Sequence, residues 1–390
     1  MRLHARWQRV LVALAVACLV SALDAGLRSS PPVAAQATWP VSAEQVGLQD
    51  LRVAGKGQIP RPAGALAAHA SYLLAMPKDH AAALTAFWFA GDRESAPNVQ
   101  IAAAQWDRRT QQWTQARYVV NRHAMGDALG FGLRRLGNPV AWLDGKGRMH
   151  LFVVATGLGG WAAGRVLHLR QNSAASDLQA LQFAPVRVLP LSWLWNTSYL
   201  VRNAPLQLAD GGMVLPAYFE IGIKYPTALR FDSDGNFVGM QRISARTWAL
   251  QPTLLAQSPS QWLALMRDTR PNGRVITSQT QDGGKTWADV PDLALVNPDS
   301  ATAGVSLTAQ DQLLVHNSAP ASREKLDLSY SADGVQWRKL LALEDGVKGE
   351  EFSYPSMAWT DGALWVSYTT DDRKSIAWQK LVPSAVKGTP

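Results

Sequence analysis

A chain of 390 residues, 47% hydrophobic and 17% charged, can bury a sizeable core but is long for one compact domain, so two domains or a repeat architecture is expected. Of the formal charge of +8, four arginines and one aspartate fall in the first 30 residues, and the +5 that remains is scattered, with no Lys/Arg block suited to nucleic acid. Sixteen tryptophans, 30 glycines and 22 prolines argue against a helical bundle and for many short strands joined by turns.

Residues 1–22 read as a secretory signal: Arg2, Arg6 and Arg9 form a basic start, Val10 to Val20 an apolar run, and Val20-Ser21-Ala22 a small-residue cleavage site, with a second at Ala35-Gln36-Ala37. The run is short for a bilayer span, so no integral span is expected in the mature chain. Cys18, the only cysteine, sits in "AVAC", where Ala15 occupies a position at which a lipoprotein box has a larger aliphatic residue. Removal of the signal leaves a chain without cysteine, held by packing alone and destined for the periplasm or the exterior. Residues 23–45, rich in Ala, Ser and Pro, read as a linker.

From 46 to 385, strand-length apolar runs alternate with Gly/Asp/Asn turns, and no long stretch shows a helical period. Units begin near residues 66, 137, 203, 250, 301 and 352. Six repeats of roughly 50 residues built from short strands predict an all-β, six-bladed propeller with four-stranded antiparallel blades. A strand from about 45–60 is expected to close the ring and remove an exposed edge. Within this frame "TQDGGKTW" (280–287) and "SADGVQW" (331–337) repeat one turn. Asp282 and Asp333 are read as fastening a hairpin through backbone N–H groups, Gly283 and Gly284 as allowing positive φ, and the tryptophan as packing between blades. "FDSDGNF" (231–237) and "WDRRTQQW" (106–113) read as worn copies. The loop "WLWN" (193–196) is a candidate sugar-stacking element over the mouth. The seven histidines show no HxxxH or HxH spacing, so neither a metal nor any other cofactor is expected.

The Ser/Thr-x-Asp-(x)-Gly-x-x-Trp turn resembles the Asp-box, or bacterial neuraminidase (BNR) repeat. Residues 66–382 more widely resemble the BNR-repeat-like branch of the sialidase superfamily, through "HASYLL", "GNPVAWLDGKGRMHLFVVA", "QPTLLAQSPSQWLALMR" and "FSYPSMAWTDGALWVSYT". The resemblance implies a site at the axial mouth in which three arginines hold a substrate carboxylate, a tyrosine assisted by a glutamate attacks, and an aspartate is the acid/base. These residue types suit that chemistry. A guanidinium fork matches a carboxylate, and a neutral tyrosine avoids setting a carboxylate nucleophile against an anionic sugar.

Carried over by position, the resemblance makes Tyr354 the nucleophile, Arg267 and Arg323 two of the three arginines, and Arg93 an additional arginine beside the acid loop. The first arginine's place is held by His69-Ala70-Ser71, the glutamate's by Gln251, and Asn98 stands near the place of the acid. Asp92, Glu94 and Glu220 are the carboxyls left to supply that chemistry, and Asn317 joins the substrate-binding candidates. The implied activity is exo-glycosidase action on a terminal anionic sugar of a glycan or polysaccharide by a monomer. The alternatives are a lyase or uronic-acid hydrolase using His69 with Tyr354, and a non-catalytic glycan-binding or assembly propeller favoured by Gln251 and Asn98.

Overall fold

The computed structural model describes residues 2–28, 34–41, 48–172 and 177–384. Six antiparallel sheets follow one another along the chain and form a β-propeller. Their first strands are Ala67–Ala75, Arg135–Leu143, a split strand Tyr199–Val201 and Leu206–Gln207, Ala249–Ala256, Ala303–Ser306 and Ser353–Thr360. Each of these starts within four residues of its predicted unit. First strands of neighbouring blades touch one another, so they line the axis, and each sheet runs outward in sequence order except for the outermost strand of blade 6. Blades 1 and 3 carry an additional short strand.

The ring closes as expected. Leu51–Gln58 is the fourth strand of blade 6, pairing antiparallel with Ser375–Pro383 from Leu51↔Pro383 to Gln58↔Ala377. An edge that would otherwise stay open is thereby covered by the other end of the chain. Between blades lie apolar cores, including the contiguous rings of Trp106, Trp113, Trp365 and Trp378 where blades 1 and 6 meet.

The "TQDGGKTW" turn joins the third strand of blade 4, Ile276–Thr280, to the fourth, Ala288–Val290. Thr280 donates to Asp282 at 2.8 Å, while Asp282 accepts from the N–H and the hydroxyl of Thr286 at 2.9 and 2.6 Å. Gly283 and Gly284 adopt φ of 69° and 85°. "SADGVQW" is built the same way, with Val335 and Gln336 N–H groups at 2.8 Å from Asp333. Both worn copies occupy the same third-to-fourth position in blades 3 and 1, with Asp232 and Asp107 accepting from their own turns.

The stretch expected to be a linker is described over residues 34–41, and there it is docked. Ala35 and Ala37 N–H groups donate to Gly283 and Pro259 of blade 4, Thr38 to Gln207 of blade 3 and Val41 to Leu307 of blade 5. This strap crosses three blades, with Ala35, Ala37 and Val41 buried. The N-terminal segment is a helix, Arg2–Arg28, whose stretch Arg6–Asp24 is apolar and long enough by composition and length to cross a membrane. That exceeds the short run read from Val10 to Val20; a signal segment meets the same criterion. Near its end, Asp24 accepts a hydrogen bond from Ser192 at 3.0 Å.

Candidate functional site

Near the start of each first strand stands one non-glycine residue with positive φ: Ala70 (55°), Asn138 (43°), Gln251 (50°) and Tyr354 (53°) inside the strand, Ser198 (67°) one residue before it and Asp299 (51°) four residues before it. In the first four the pairing register slips at the same point. Proline follows three of them, in Asn138-Pro139, Gln251-Pro252 and Tyr354-Pro355, and withdraws one N–H from the ladder. Left-handed backbone at bulky residues is costly and persists where surrounding structure enforces it. The six residues form a ring at one end of the axis.

Three ring members belong to a continuous polar arc. Gln251 Nε2 lies 3.5 Å from the Tyr354 hydroxyl and 3.3 Å from that of Tyr218, a long donor to each. Its carbonyl accepts from Arg267 at 3.2 Å, and Arg267 Nε donates to Asp299 at 2.6 Å. Arg323 bridges onward, donating to the Asp299 carbonyl at 2.6 Å and to Glu351 at 3.0 Å. Glu351 accepts both 3.1 and 3.2 Å bonds from Arg373, which also pairs with Glu94. The arc therefore runs through blades 3, 4, 5, 6 and 1. All its members lie at first-strand starts, second-strand ends or second-to-third connections, which share one face of an antiparallel blade. The Asp-box turns, joining third strands to fourth, lie on the opposite face.

Beneath the arc the channel is filled. Arg202, buried in blade 3, reaches across to the carbonyls of Tyr354 and Pro355, the latter at 2.8 Å, with its guanidinium carbon 5.2 Å from the Tyr354 ring centroid. Asn203 donates to the carbonyls of Gln251 and Pro252 at 2.9 and 3.0 Å. Together they hold two of the left-handed bulges, and the gap left among Arg202, Thr253, Gly304 and Pro355 is only about 10 Å³.

The remaining wall is aromatic. The His69 ring lies 4.4 Å from that of Tyr354 and 5.3 Å from Phe89, and Phe89 lies 5.8 Å from Trp161. Trp161 rests on Gly137, where a Cβ would stand 2.6 Å from the indole. Both His69 ring nitrogens are buried with no hydrogen-bond partner among the described residues.

Electrostatics follow from this packing. Burial, with Arg373, Arg202 and Arg323 adding to it, holds the His69 pKa well below the ordinary histidine value, so the ring is neutral. Burial brings Arg202 down to about 10 despite Tyr354 and Tyr218. Burial also opposes the Arg267 charge, but Tyr354 and Asp299 outweigh it and raise its pKa. Glu220 is raised by burial and by Asp299, against Arg267 and Lys224. Glu351 goes the other way: burial is outweighed by Ser353, Arg373 and Arg323, and its carboxyl stays ionised below the usual range. Among the described residues no group of three or more His, Cys, Asp or Glu side chains is arranged to hold a metal.

The sequence matches the BNR repeat-like domain over residues 82–366. The chain belongs to this family. No curated protein matches it in sequence. Among solved structures it is similar to the Hadza microbial sialidase Hz136, at 16% identity and TM-score 0.65 over 80% of this chain and 65% of that one. Trypanosoma rangeli sialidase gives 13% identity and TM-score 0.65 over 84% of this chain and 60% of that one. A protein of unknown function from Dyadobacter fermentans DSM 18053 gives 13% and 0.65 over 87% of this chain and all of that one. The chain thus spans less than two thirds of the length of either sialidase, and at these identities the likeness carries the fold alone.

In this BNR repeat-like propeller, Tyr354, Gln251, His69, Arg267, Arg323 and Glu94 are brought together, and Glu220 acts on the same cluster electrostatically. Arg93 is exposed, and none of the described side-chain contacts ties it to the arc. Asn98 is an exposed loop residue whose carbonyl accepts from the Asp92 N–H at 3.3 Å. Asn317 is buried below the site, donating to the carbonyls of Arg323, Lys325 and Phe352, so it shapes the Arg323 loop from behind. Trp193, Leu194 and Trp195 are exposed on the connection between blades 2 and 3, on the site face. Sequence reasoning missed Arg373, Glu351, Asp299, Arg202 and Tyr218. Arg373 is delivered by three successive left-handed residues, Asp371, Asp372 and Arg373, at φ of 53°, 50° and 62°. "DDRK" read in isolation is an ordinary polar turn.

Proposed function

We propose that this protein recognises and hydrolyses a terminal carboxylated sugar, of the sialic-acid type, at the face where Tyr354 meets the arginine arc. The observation that carries this reading is the run of contacts that joins three guanidiniums to one tyrosine: Gln251 links Tyr354 to Arg267, Asp299 takes Arg267 on its carboxylate and Arg323 on its main-chain carbonyl, and Arg323 and Arg373 share the Glu351 carboxylate. A substrate carboxylate can exchange for Asp299 or Glu351 on these forks, because guanidinium–carboxylate pairing is bidentate and exchangeable. Arg373 supplies the guanidinium that the His69 position lacks. Tyr354 is the nucleophile. Glu220, kept protonated more readily by burial, is the acid that protonates the leaving oxygen. The sugar is one the chain meets after export, in keeping with the apolar N-terminal helix.

The test is release of 4-methylumbelliferone from its N-acetylneuraminide. Tyr354→Phe is expected to reduce turnover by at least about a hundredfold, with substrate affinity retained. Unchanged turnover would remove Tyr354 from the chemistry. A second reading, recognition without cleavage, is favoured by one observation: Gln251 presents an amide N–H to Tyr354, and an amide takes no proton from a phenol. Binding of N-acetylneuraminic acid by calorimetry with no turnover of any sialoside would select it.

A further inference from the structure

The six left-handed residues share a position, yet their side chains have different fates. Gln251, Asp299 and Tyr354 reach the polar arc. Ser198 is spent internally, its hydroxyl accepting from Ile221 N–H at 2.8 Å and its carbonyl from Glu220 N–H at 3.0 Å. Ala70 has no polar side chain. Asn138 is the sixth, and it is built like the two central members of the site: the same register slip, between Gly137 and Val140, and the same following proline as Gln251 and Tyr354. Its carboxamide makes no hydrogen bond among the described residues, although the residue is only 9% exposed. The amide atoms of this nearly buried residue still reach solvent, so its donors and lone pairs are unused by the protein and open to a ligand. Its chain neighbour Gly137 lies under Trp161, at the end of the aromatic wall that runs from Tyr354 through His69 and Phe89.

We infer that Asn138 is a ligand-contacting residue: its carboxamide completes the mouth on the blade 2 side, hydrogen-bonding hydroxyl or amide groups of the sugar whose carboxylate the arginine arc holds. This rests on the carboxylated-sugar reading above. The competing explanation is purely conformational, since asparagine tolerates left-handed backbone better than most residues.

Glycine separates the two explanations, because it adopts positive φ more readily than asparagine but has no amide. The experiment measures binding of N-acetylneuraminic acid and of glucuronic acid to the full chain by saturation-transfer NMR and calorimetry, with thermal melting alongside. Asn138→Gly is expected to melt at or above the wild-type temperature while binding the preferred acid about tenfold more weakly, the loss of one well-placed hydrogen bond. Asn138→Asp keeps an acceptor but adds a charge facing an anionic ligand, and is expected to bind more weakly still. Wild-type affinity in Asn138→Gly with unchanged melting would overturn the assignment and leave the carboxylated-sugar reading standing. If the wild type binds neither acid, that reading fails and the assignment falls with it.

Discussion

Gln251 occupies the position on which the chemistry of the whole site turns. Its carbonyl accepts from Arg267 and its amide faces two phenols, so it reads as an acceptor on one side and a donor on the other. A glutamate there would keep the Arg267 contact, as a charge-assisted one, and would turn the donor toward Tyr354 into a base. Gln251→Glu is therefore expected to raise sialoside turnover about a hundredfold, the lower end of what general-base assistance contributes. A variant that folds, binds and shows no rise would mean that the proton leaves Tyr354 by another route. Tyr354, Gln251, Arg267 and Arg323 were placed in the sequence by the resemblance to sialidases, with the Asp-box turns fixing the register of the strands that carry the two arginines. Arg373 and Arg202 were not. One depends on three left-handed residues in a row, and the other on reaching across the axis to a strand about 150 residues away.

At the scale of the element, the Asp-box turn does two things, of which only one shows in its letters. Thr280, Asp282 and Thr286 close the hairpin, and that role follows from residue type and spacing. Gly283 also faces the strap: a Cβ there would stand 2.2 Å from the Ala35 carbonyl oxygen. The Ala/Ser/Pro composition of residues 23–45 does not signal such docking, because most of its bonds are made by backbone groups that every residue carries, with the Trp39 indole N–H adding one to the Ala256 carbonyl at 3.1 Å. Gly283→Ala is expected to lift residues 34–37 off blades 3 and 4, seen as faster amide exchange at Ala35 and Ala37 and faster proteolysis before Val41. Ligand affinity is expected to stay unchanged, since the turn lies on the face opposite the arc. Asp282→Ala removes bonds within the turn alone, and its cost, about 1–2 kcal/mol in denaturant unfolding, is expected without loss of affinity. An affinity loss in either variant would connect the two faces.

For the molecule as a whole, six blades were predictable because a repeat of strands and turns is written in the local alternation of side chains. How neighbouring blades are joined was not, since the joints unite residues far apart in sequence. One joint is ionisable. Asp144 accepts from His150 Nε2 at 3.2 Å, and His150 Nδ1 lies 2.7 Å from His168 Nε2. His150 Nε2 must therefore carry a proton for Asp144, and His168 Nε2 must donate to His150 Nδ1. His168 stacks on Phe152 of blade 2 and meets Phe231 of blade 3 edge-on. Burial first, then His150, Arg187 and Arg170, lowers the His168 pKa to about 3, and burial also lowers those of His150 and His316. The sign follows directly. Below the unfolded value near 6.5 the unfolded chain binds a proton that folded His168 refuses, so stability falls as pH falls from about 6.5 toward 3. The slope is at most about 1.4 kcal/mol per pH unit for each such histidine. Denaturant midpoints measured between pH 7 and pH 4 are expected to drop steadily across this window. His168→Phe, which keeps the aromatic stack but not the titrating ring, is expected to be less stable at pH 7, where His150 loses its donor, and to show a shallower decline. An equal slope in that variant would place the acid sensitivity elsewhere, with His69 at the mouth the next group to replace, because it too is buried and held neutral.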